Sequence, residues 1–342
     1  MALKRVKNQK FNLFTGSLFD DEIPVHPSIV EAVEKEREKE SREVVAEILE
    51  PMDDRVAVKR DSLRFISFGS GSSGNCSYIG DSRAGVLIDA GVDYKNVIEL
   101  MKSKGLSMEA VKGILITHDH GDHIRYVYAL VRRYPHIGVY CTPRCFNGIM
   151  RRHNVSRRLK DYHIPIYKEF PFSLAGMEIT AFDVSHDGTD NAGFYLTRGA
   201  DGGQRFTIAT DLGCITPRVD YYMRRARWIV IESNYDARML QTGPYPDYLK
   251  ARIKAANGHL DNVDTARFLA EIWTPQLTHV FLCHLSQDNN TPDIAVDEVK
   301  RSLANIGIDR TGLARETAED RACKLQLVAL PRVDVSPIYF LE

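Results

Sequence analysis

The sequence predicts an α/β fold built as an αββα sandwich, two mixed β-sheets packed face to face with helices on the outside. Three observations predict it. From Leu63 onward, short apolar runs alternate with glycine and polar turns, the texture of strands. Amphipathic segments of helical period come between those runs. Strands with helices inserted are followed by a second batch of the same kind, which suits two layered sheets.

Residues 1–27 are polar and carry no period. Ser28 and Glu31 then have capping-box spacing, EAVEKEREKESREVVAEILE follows with opposite charges three and four apart, and Pro51 stops the run. A solvated helix is expected over about residues 28–50. Residues 1–61 read as an extension without catalytic groups, and Val44, Val45, Ile48 and Leu49 would be the face that meets a protein partner. Residues 62–342 read as one catalytic domain.

Within that domain LRFISFG and VLIDAG read as strands, NVIELMKSKG as a helix closed by Gly105, and GILITH as a buried strand. IRYVYALVRRY reads as a helix and GVYC as a strand. Cys141 and Cys145, four apart, read as one face of a helix start. The strands MEITAFDVSH, AGFYLTR, QRFTIATD and RWIVIES follow. The helices YLKARIKAA, VDTARFLAEIW and PDIAVDEVKRSLANI come next, with the strand THVFLCH between the last two.

Composition bounds the function. The 342 residues are 44% apolar, enough for a sizeable core, and the formal net charge is -1. No global basic field attracts nucleic acid, so such a substrate would need a local patch. The opening MALKRVKNQKFNLF lacks the apolar run of a signal peptide, and no stretch is long and apolar enough for a transmembrane helix. The six cysteines are sparse and form no CxxC pair, as expected of packing thiols in a reducing cytoplasm.

The chemistry concentrates in Thr117-His118-Asp119-His120-Gly121-Asp122-His123. Three imidazoles and two carboxylates in so short a turn would repel and desolvate one another without a cation. His118 and His120 lie at the end of a buried strand. Gly121 is expected to let the chain turn tightly, so that Asp122 and His123 point back from the next helix. A turn of this kind can divide its ligands between two ions, and imidazole with carboxylate suits zinc, manganese or iron. Four ligands cannot complete two coordination shells. His186, Asp211 and His284 are each the first strong ligand type after an apolar run, at the ends of MEITAFDVSH, RFTIATD and THVFLCH. With Asp211 bridging, seven ligands suffice. His26, His136, His153, His163 and His279 read as ordinary core or surface histidines.

The HxHxDH motif, the later His, Asp and His, and the strand–helix order together resemble the metallo-β-lactamase fold superfamily. The stretches GSGSSGNCSYIG, ESNYD, GPYP, GHLDN and CHLSQDNNTP look like one branch of it, the YycJ/WalJ-type hydrolases, over about residues 62–342. That branch is described as metal-dependent nucleases with 5′-to-3′ exonuclease action on DNA. The resemblance implies that His118, His120 and His186 hold one metal. It implies that Asp122, His123 and His284 hold the other, with Asp211 as the bridge. Asp89, in LIDAG, would be a carboxylate that orients a ligand histidine without binding metal. Tyr235 and Asp261 stand where family members often have His and Ser.

Such a pair of ions can share a water and lower its pKa toward about 7. Asp211 would position the resulting hydroxide. His259, in GHLDN, would contact phosphate or protonate the leaving oxygen. Ser73 and Asn75 lie in a Gly-rich turn whose amides would bind an anion. RRHNVSRRLK, residues 151–160, and the cluster Arg224, Arg225 and Arg227 are the cationic stretches that would neutralise DNA phosphates. The leading expectation is a dinuclear phosphodiester hydrolase acting on DNA ends. A hydrolase of a thioester, lactone or cyclic phosphodiester on the same fold is the alternative, and a non-catalytic binding protein is disfavoured because every ligand position is filled. Only about 70 residues separate Asp211 from His284, which leaves little room for the large insertion of the RNA-processing branch. Asp211 also stands where many true β-lactamases carry Cys.

Overall fold

A computed structural model describes residues 62–342 apart from Ala200, Asp201 and Glu316. The charged helix expected over residues 28–50 lies outside the described residues.

The strands, in chain order, are β1 (Leu63–Gly69), β2 (Cys76–Gly80), β3 (Gly85–Ile88), β4 (Val111–Leu115), β5 (Gly138–Cys141), β6 (His163–Pro165), β7 (Phe172–Leu174), β8 (Met177–Asp183), β9 (Ala192–Arg198), β10 (Gln204–Ala209), β11 (Trp228–Glu232), β12 (His279–Cys283), β13 (Gln326–Ala329) and β14 (Tyr339–Leu341). They form two seven-stranded sheets, ordered β14-β1-β2-β3-β4-β5-β6 and β13-β12-β11-β10-β9-β8-β7. Both sheets are mixed. In the first, β3 to β6 run parallel and the other pairs antiparallel. In the second, β10 to β13 run parallel and β7 to β10 pair antiparallel. The αββα sandwich expected from the sequence is the observed architecture.

The two-residue period of the strands sorts their side chains into layers. In β1, Leu63 and Phe65 face the other sheet, where Phe65 meets Phe206 and Phe281, while Ile66 and Phe68 face outward. In β11, Trp228 and Val230 point inward and Ile229 and Ile231 outward. The outward face of the first sheet is covered by helices Tyr94–Ser103, Val127–Arg133 and Pro143–Arg152, through Val97, Leu130 and Ile149 among others. The second is covered by helices Pro217–Met223, Asn262–Ile272 and Pro292–Ala304, through Val219, Leu269 and Val299. Burying each of these large apolar side chains contributes roughly 1.5–3 kcal/mol.

Some elements differ from the sequence expectation. β6, β7 and β14 have three residues each and show no usable period. Cys141 closes β5, while Cys145 lies in the helix that follows, capped by Thr142. The two cysteines therefore do not share one helix start, although both are buried. The strands that carry site residues also stop short of them. β8 ends at Asp183, three residues before His186, and β10 at Ala209, two before Asp211.

Candidate metal centre

The ends of β3, β4, β8, β10, β11 and β12 meet on one rim, and each supplies a side chain there. Asp89, Asp211 and His284, just past β3, β10 and β12, have φ of 61°, 54° and 53°. Left-handed backbone is costly for a side-chain-bearing residue and collects at functional sites. Here it turns each chain off its sheet so that the side chain faces the rim.

The THDHGDH turn follows β4, and its second half is the helical turn Gly121–Ile124. Gly121 does not supply the expected tight turn. Its backbone is helical, and an added Cβ would meet only the His153 ring at 3.7 Å. The glycine that the turn requires is Gly91, where a Cβ would come within 1.5 Å of the Asp122 carbonyl. The signal for it in the sequence is its place directly after LIDA.

All seven expected ligands come together. His118, His120 and His186 form one group, Asp122, His123 and His284 another, and His118, His123 and Asp211 a third, with potential ligand atoms within 4.8 Å of one another in each. Asp211 lies between the two triads. Its Oδ1 is 3.7 Å from Nε2 of His186 and its Oδ2 is 3.3 Å from Nε2 of His123.

The donor set fits divalent cations. Nε2 of His118 and Nε2 of His284 are buried and have no hydrogen-bond partner. Nδ1 of His120 and Nε2 of His186 face each other at 3.3 Å. Two ligands on a tetrahedral ion, each about 2.0–2.1 Å from it, would stand about 3.3 Å apart. The opposite ring nitrogens are held from behind, as metal-binding imidazoles require. Nδ1 of His118 is 3.0 Å from Thr117 Oγ1, that of His123 donates to Asp89 Oδ2 at 2.7 Å, and that of His186 donates to the Gly258 carbonyl at 3.0 Å. Asp89 thus sits behind His123, and it also accepts the Thr117 amide at 2.9 Å.

Sequence reading passed over Glu232, the last residue of β11. It is fully buried, and it accepts from Nδ1 of His284 at 2.7 Å, Nδ1 of His259 at 2.8 Å and the amides of Leu212 and Leu260. Burial by itself would raise its pKa, but His259 and His284 outweigh burial and hold it below the usual value. Asp211 behaves alike. Burial raises it, while His284 and His123 hold it well below the carboxylate range. Burial and the neighbouring His123 push His118 well below 6.5. At His123 burial is outweighed by Asp89 and Asp211, which push the ring well up, and at His284 it is outweighed by Asp211 and Glu232, which push it up to about 9. A cation would displace a proton there on binding. Glu232 was legible only as the E of ESNYD.

The remaining asparagines of the branch motifs build scaffold. Ser233 Oγ donates to Asn262 Oδ1 at 2.6 Å, Asn262 Nδ2 donates to Asn290 Oδ1, Asn290 Nδ2 donates to the Ser233 and Asn234 carbonyls, and Asn234 Nδ2 donates to the His284 carbonyl. This buried network ties ESN, HLDN and DNN into one unit. The two departures from the family pattern also meet, since Tyr235 and Asp261 form an isolated β-bridge and Asp261 caps the helix Asn262–Ile272.

His259 borders the centre. Its ring centroid lies 5.1 Å from that of His186 and 5.2 Å from that of His284. The Gly-rich turn differs from expectation. The amides of Gly74 and Asn75 donate to the carbonyls of Gly71 and Asp122, so they are not available to an anion. Asn75 Nδ2 lies 3.1 Å from Asp122 Oδ2 and 2.9 Å from His123 Nε2, which sets Asn75 among the ligands. Ser73 is exposed, and its carbonyl accepts from Arg125.

Of the cationic stretches, residues 151–160 adjoin the centre. Nε2 of His153 donates to the Asp119 carbonyl, and Arg152 lies 3.5 Å from the Asp119 carboxylate. Arg224, Arg225 and Arg227 do not adjoin it. They precede β11, whose opposite end carries Glu232 to the rim. Arg224 is also spent on Asp220 and Glu271, and Arg225 lies over the Tyr221 ring.

Two mixed sheets under helices, with this His/Asp rim, define the class of metallo-β-lactamase fold, metal-dependent hydrolases. The chain belongs to the beta-lactamase superfamily domain family, whose model matches residues 85–284, and within it to the YycJ/WalJ-type branch. It is 34% identical over 251 residues to the exodeoxyribonuclease YycJ of Bacillus anthracis, covering 72% of this chain and 90% of that one. To the exodeoxyribonuclease WalJ of Streptococcus pneumoniae serotype 2 (strain D39 / NCTC 7466) it is 30% identical over 252 residues, 72% of this chain and 92% of that one. In fold it is similar to the crystal structure of the metallo-beta-lactamase fold protein YhfI from Bacillus subtilis, with a TM-score of 0.57 at 14% identity, covering 81% and 99% of the two chains. Among the described residues, no helix is long and apolar enough to cross a membrane.

Proposed function

We propose that this chain is a dinuclear metal-dependent phosphodiesterase that removes nucleotides from DNA ends, with the 5′-to-3′ polarity that its resemblance implies. The observation that carries the reading is that each triad holds a buried imidazole nitrogen without a hydrogen-bond partner, His118 Nε2 in one and His284 Nε2 in the other. The names of the YycJ and WalJ relatives support the DNA substrate.

His118, His120 and His186 would hold one cation and Asp122, His123 and His284 the other, with Asp211 shared. Zinc and manganese both suit that donor set, and iron also fits. Bound there, the pair would supply Lewis acidity toward a phosphate oxygen and an acidified water as nucleophile. Asp211 orients the attacking oxygen. Glu232 fixes Nδ1 of His259, so Nε2 is the atom that moves a proton to the leaving oxygen. The His259 side chain is 21% exposed, enough to meet a substrate. The exposed cations Arg151, Arg152, Arg157, Arg158 and Lys160 would neutralise backbone phosphates. The six cysteines are all free thiols, which supports assignment to a reducing cytoplasm. Residues 1–61 remain proposed as a separate extension with a partner-binding helix.

The test is hydrolysis of an end-labelled duplex with and without chelator. Release of mononucleotides that stops with chelator, and stops in folded Asp211→Ala, supports the reading. Turnover of a thioester or lactone with none on DNA contradicts it.

A further inference from the structure

Beside the metal centre lies a cavity of about 180 Å³, whose walls include Ser73, Gly74, Asp93, Arg125, Tyr126 and Arg332. It shares a wall with the centre. Asn75, one residue past Gly74, donates to Asp122 Oδ2, and Arg125 lies one helical turn beyond Asp122. Ser73 and Asn75 are two residues apart, so at most about 7 Å of chain separates the cavity wall from Asn75, which itself touches the ligand Asp122.

The lining selects for an anion. Among the described residues, neither Arg125 nor Arg332 forms an ion pair with a carboxylate, while many other arginines do, including Arg152, Arg224 and Arg252. Arg125 is held in place by the Ser73 carbonyl at 3.1 Å. Asp93 is the one acid in the lining, and its carboxylate is occupied in capping the helix Tyr94–Ser103 through the Lys95 amide. The cavity holds several times the roughly 10–15 Å³ that one water needs, yet falls short of the about 300–1,000 Å³ of a pocket that encloses a whole ligand. That size admits a phosphate group with one edge of its sugar, and two guanidiniums match phosphate geometry.

Resting on the phosphodiesterase reading above, we infer that this cavity binds the terminal phosphate monoester of the DNA end while the adjacent phosphodiester lies at the metal centre. The enzyme therefore distinguishes phosphorylated from hydroxyl ends.

Two measurements on the full chain test this. In the first, kcat/KM is compared on duplexes ending in 5′-phosphate and 5′-hydroxyl. Wild type should prefer the phosphate by about tenfold, the scale of one lost charged contact. Arg332→Ala should bring the ratio near one with little change on the hydroxyl end, and Arg332→Lys should restore part of it. In the second, calorimetry reads binding of deoxyadenosine 5′-monophosphate, deoxyadenosine and inorganic phosphate to wild type and Arg332→Ala. Monophosphate binding weakened about tenfold by the substitution, with the nucleoside unaffected, supports the site. Inorganic phosphate binding as tightly as the nucleotide would make this a free-phosphate site and overturn the assignment. Equal rates on both ends in wild type, or equal nucleotide affinity in Arg332→Ala, would also overturn it. If wild type cuts no DNA but the nucleotide binds through Arg332, the phosphodiesterase reading fails and the cavity assignment stands as a nucleotide site.

Discussion

Oε1 of Glu232 lies 2.7 Å from Nδ1 of His284, and the same oxygen lies 2.8 Å from Nδ1 of His259. One buried carboxylate therefore holds a proposed metal ligand and the proposed proton donor. The two functions can be separated by substitution.

Glu232→Gln keeps the size of the side chain but cannot accept from both rings through a charged oxygen. Loss of such a supporting carboxylate typically costs about 10–100-fold in metal affinity or activity. Elemental analysis and turnover should fall together in this variant. His259→Ala should lower turnover while leaving most of the metal bound. Loss of metal in His259→Ala would mean that His259 is a ligand and that its role was misassigned.

Chelation should destabilise the fold. Cations bound only by the native chain stabilise it by mass action, about 2.7 kcal/mol at a hundredfold excess over Kd. For a domain of this size roughly 2–4 °C of Tm accompanies each kcal/mol. A chelator should therefore lower Tm by about 5–10 °C, and re-addition of zinc or manganese should restore it. A Tm indifferent to chelator would argue against a metal-linked rim.

Acid sensitivity has an origin away from the rim. Burial, with Arg227 beside it, lowers the pKa of His279 to about 4, from 6.5. The ring is neutral in both states at pH 7 and contributes nothing there. Below 6.5 the unfolded chain takes up a proton that the folded chain refuses until about pH 4. Stability should fall across that window, by up to about 3 kcal/mol. His279→Phe, which keeps the contact with Phe281, should narrow the difference between urea midpoints at pH 7 and pH 4.5. An unchanged difference would remove His279 as the cause.

The layered fold was legible because the inward and outward faces of β1, β10 and β11 are apolar enough to read as strands, and because helices such as Pro292–Ala304 carry caps and a periodic face. The ligand turn was legible because its acids and imidazoles are adjacent in the chain and have no stable arrangement without a cation. Glu232 was not, since a single acid at the end of an apolar run looks the same whether it faces solvent or a buried histidine pair. Gly91 was hidden for a related reason. Its need comes from Asp122, which is distant in sequence. Arg224 and Arg225 misled in the other direction, because a run of arginines does not show which carboxylates and rings will absorb it.

Anomalous scattering from crystals of the full chain, collected at the zinc and manganese edges, tests the central claim most directly. Two peaks are predicted, one bounded by His118, His120 and His186 and one by Asp122, His123 and His284, with Asp211 in reach of both. A single peak, or none within reach of Asp211, would contradict a two-cation centre.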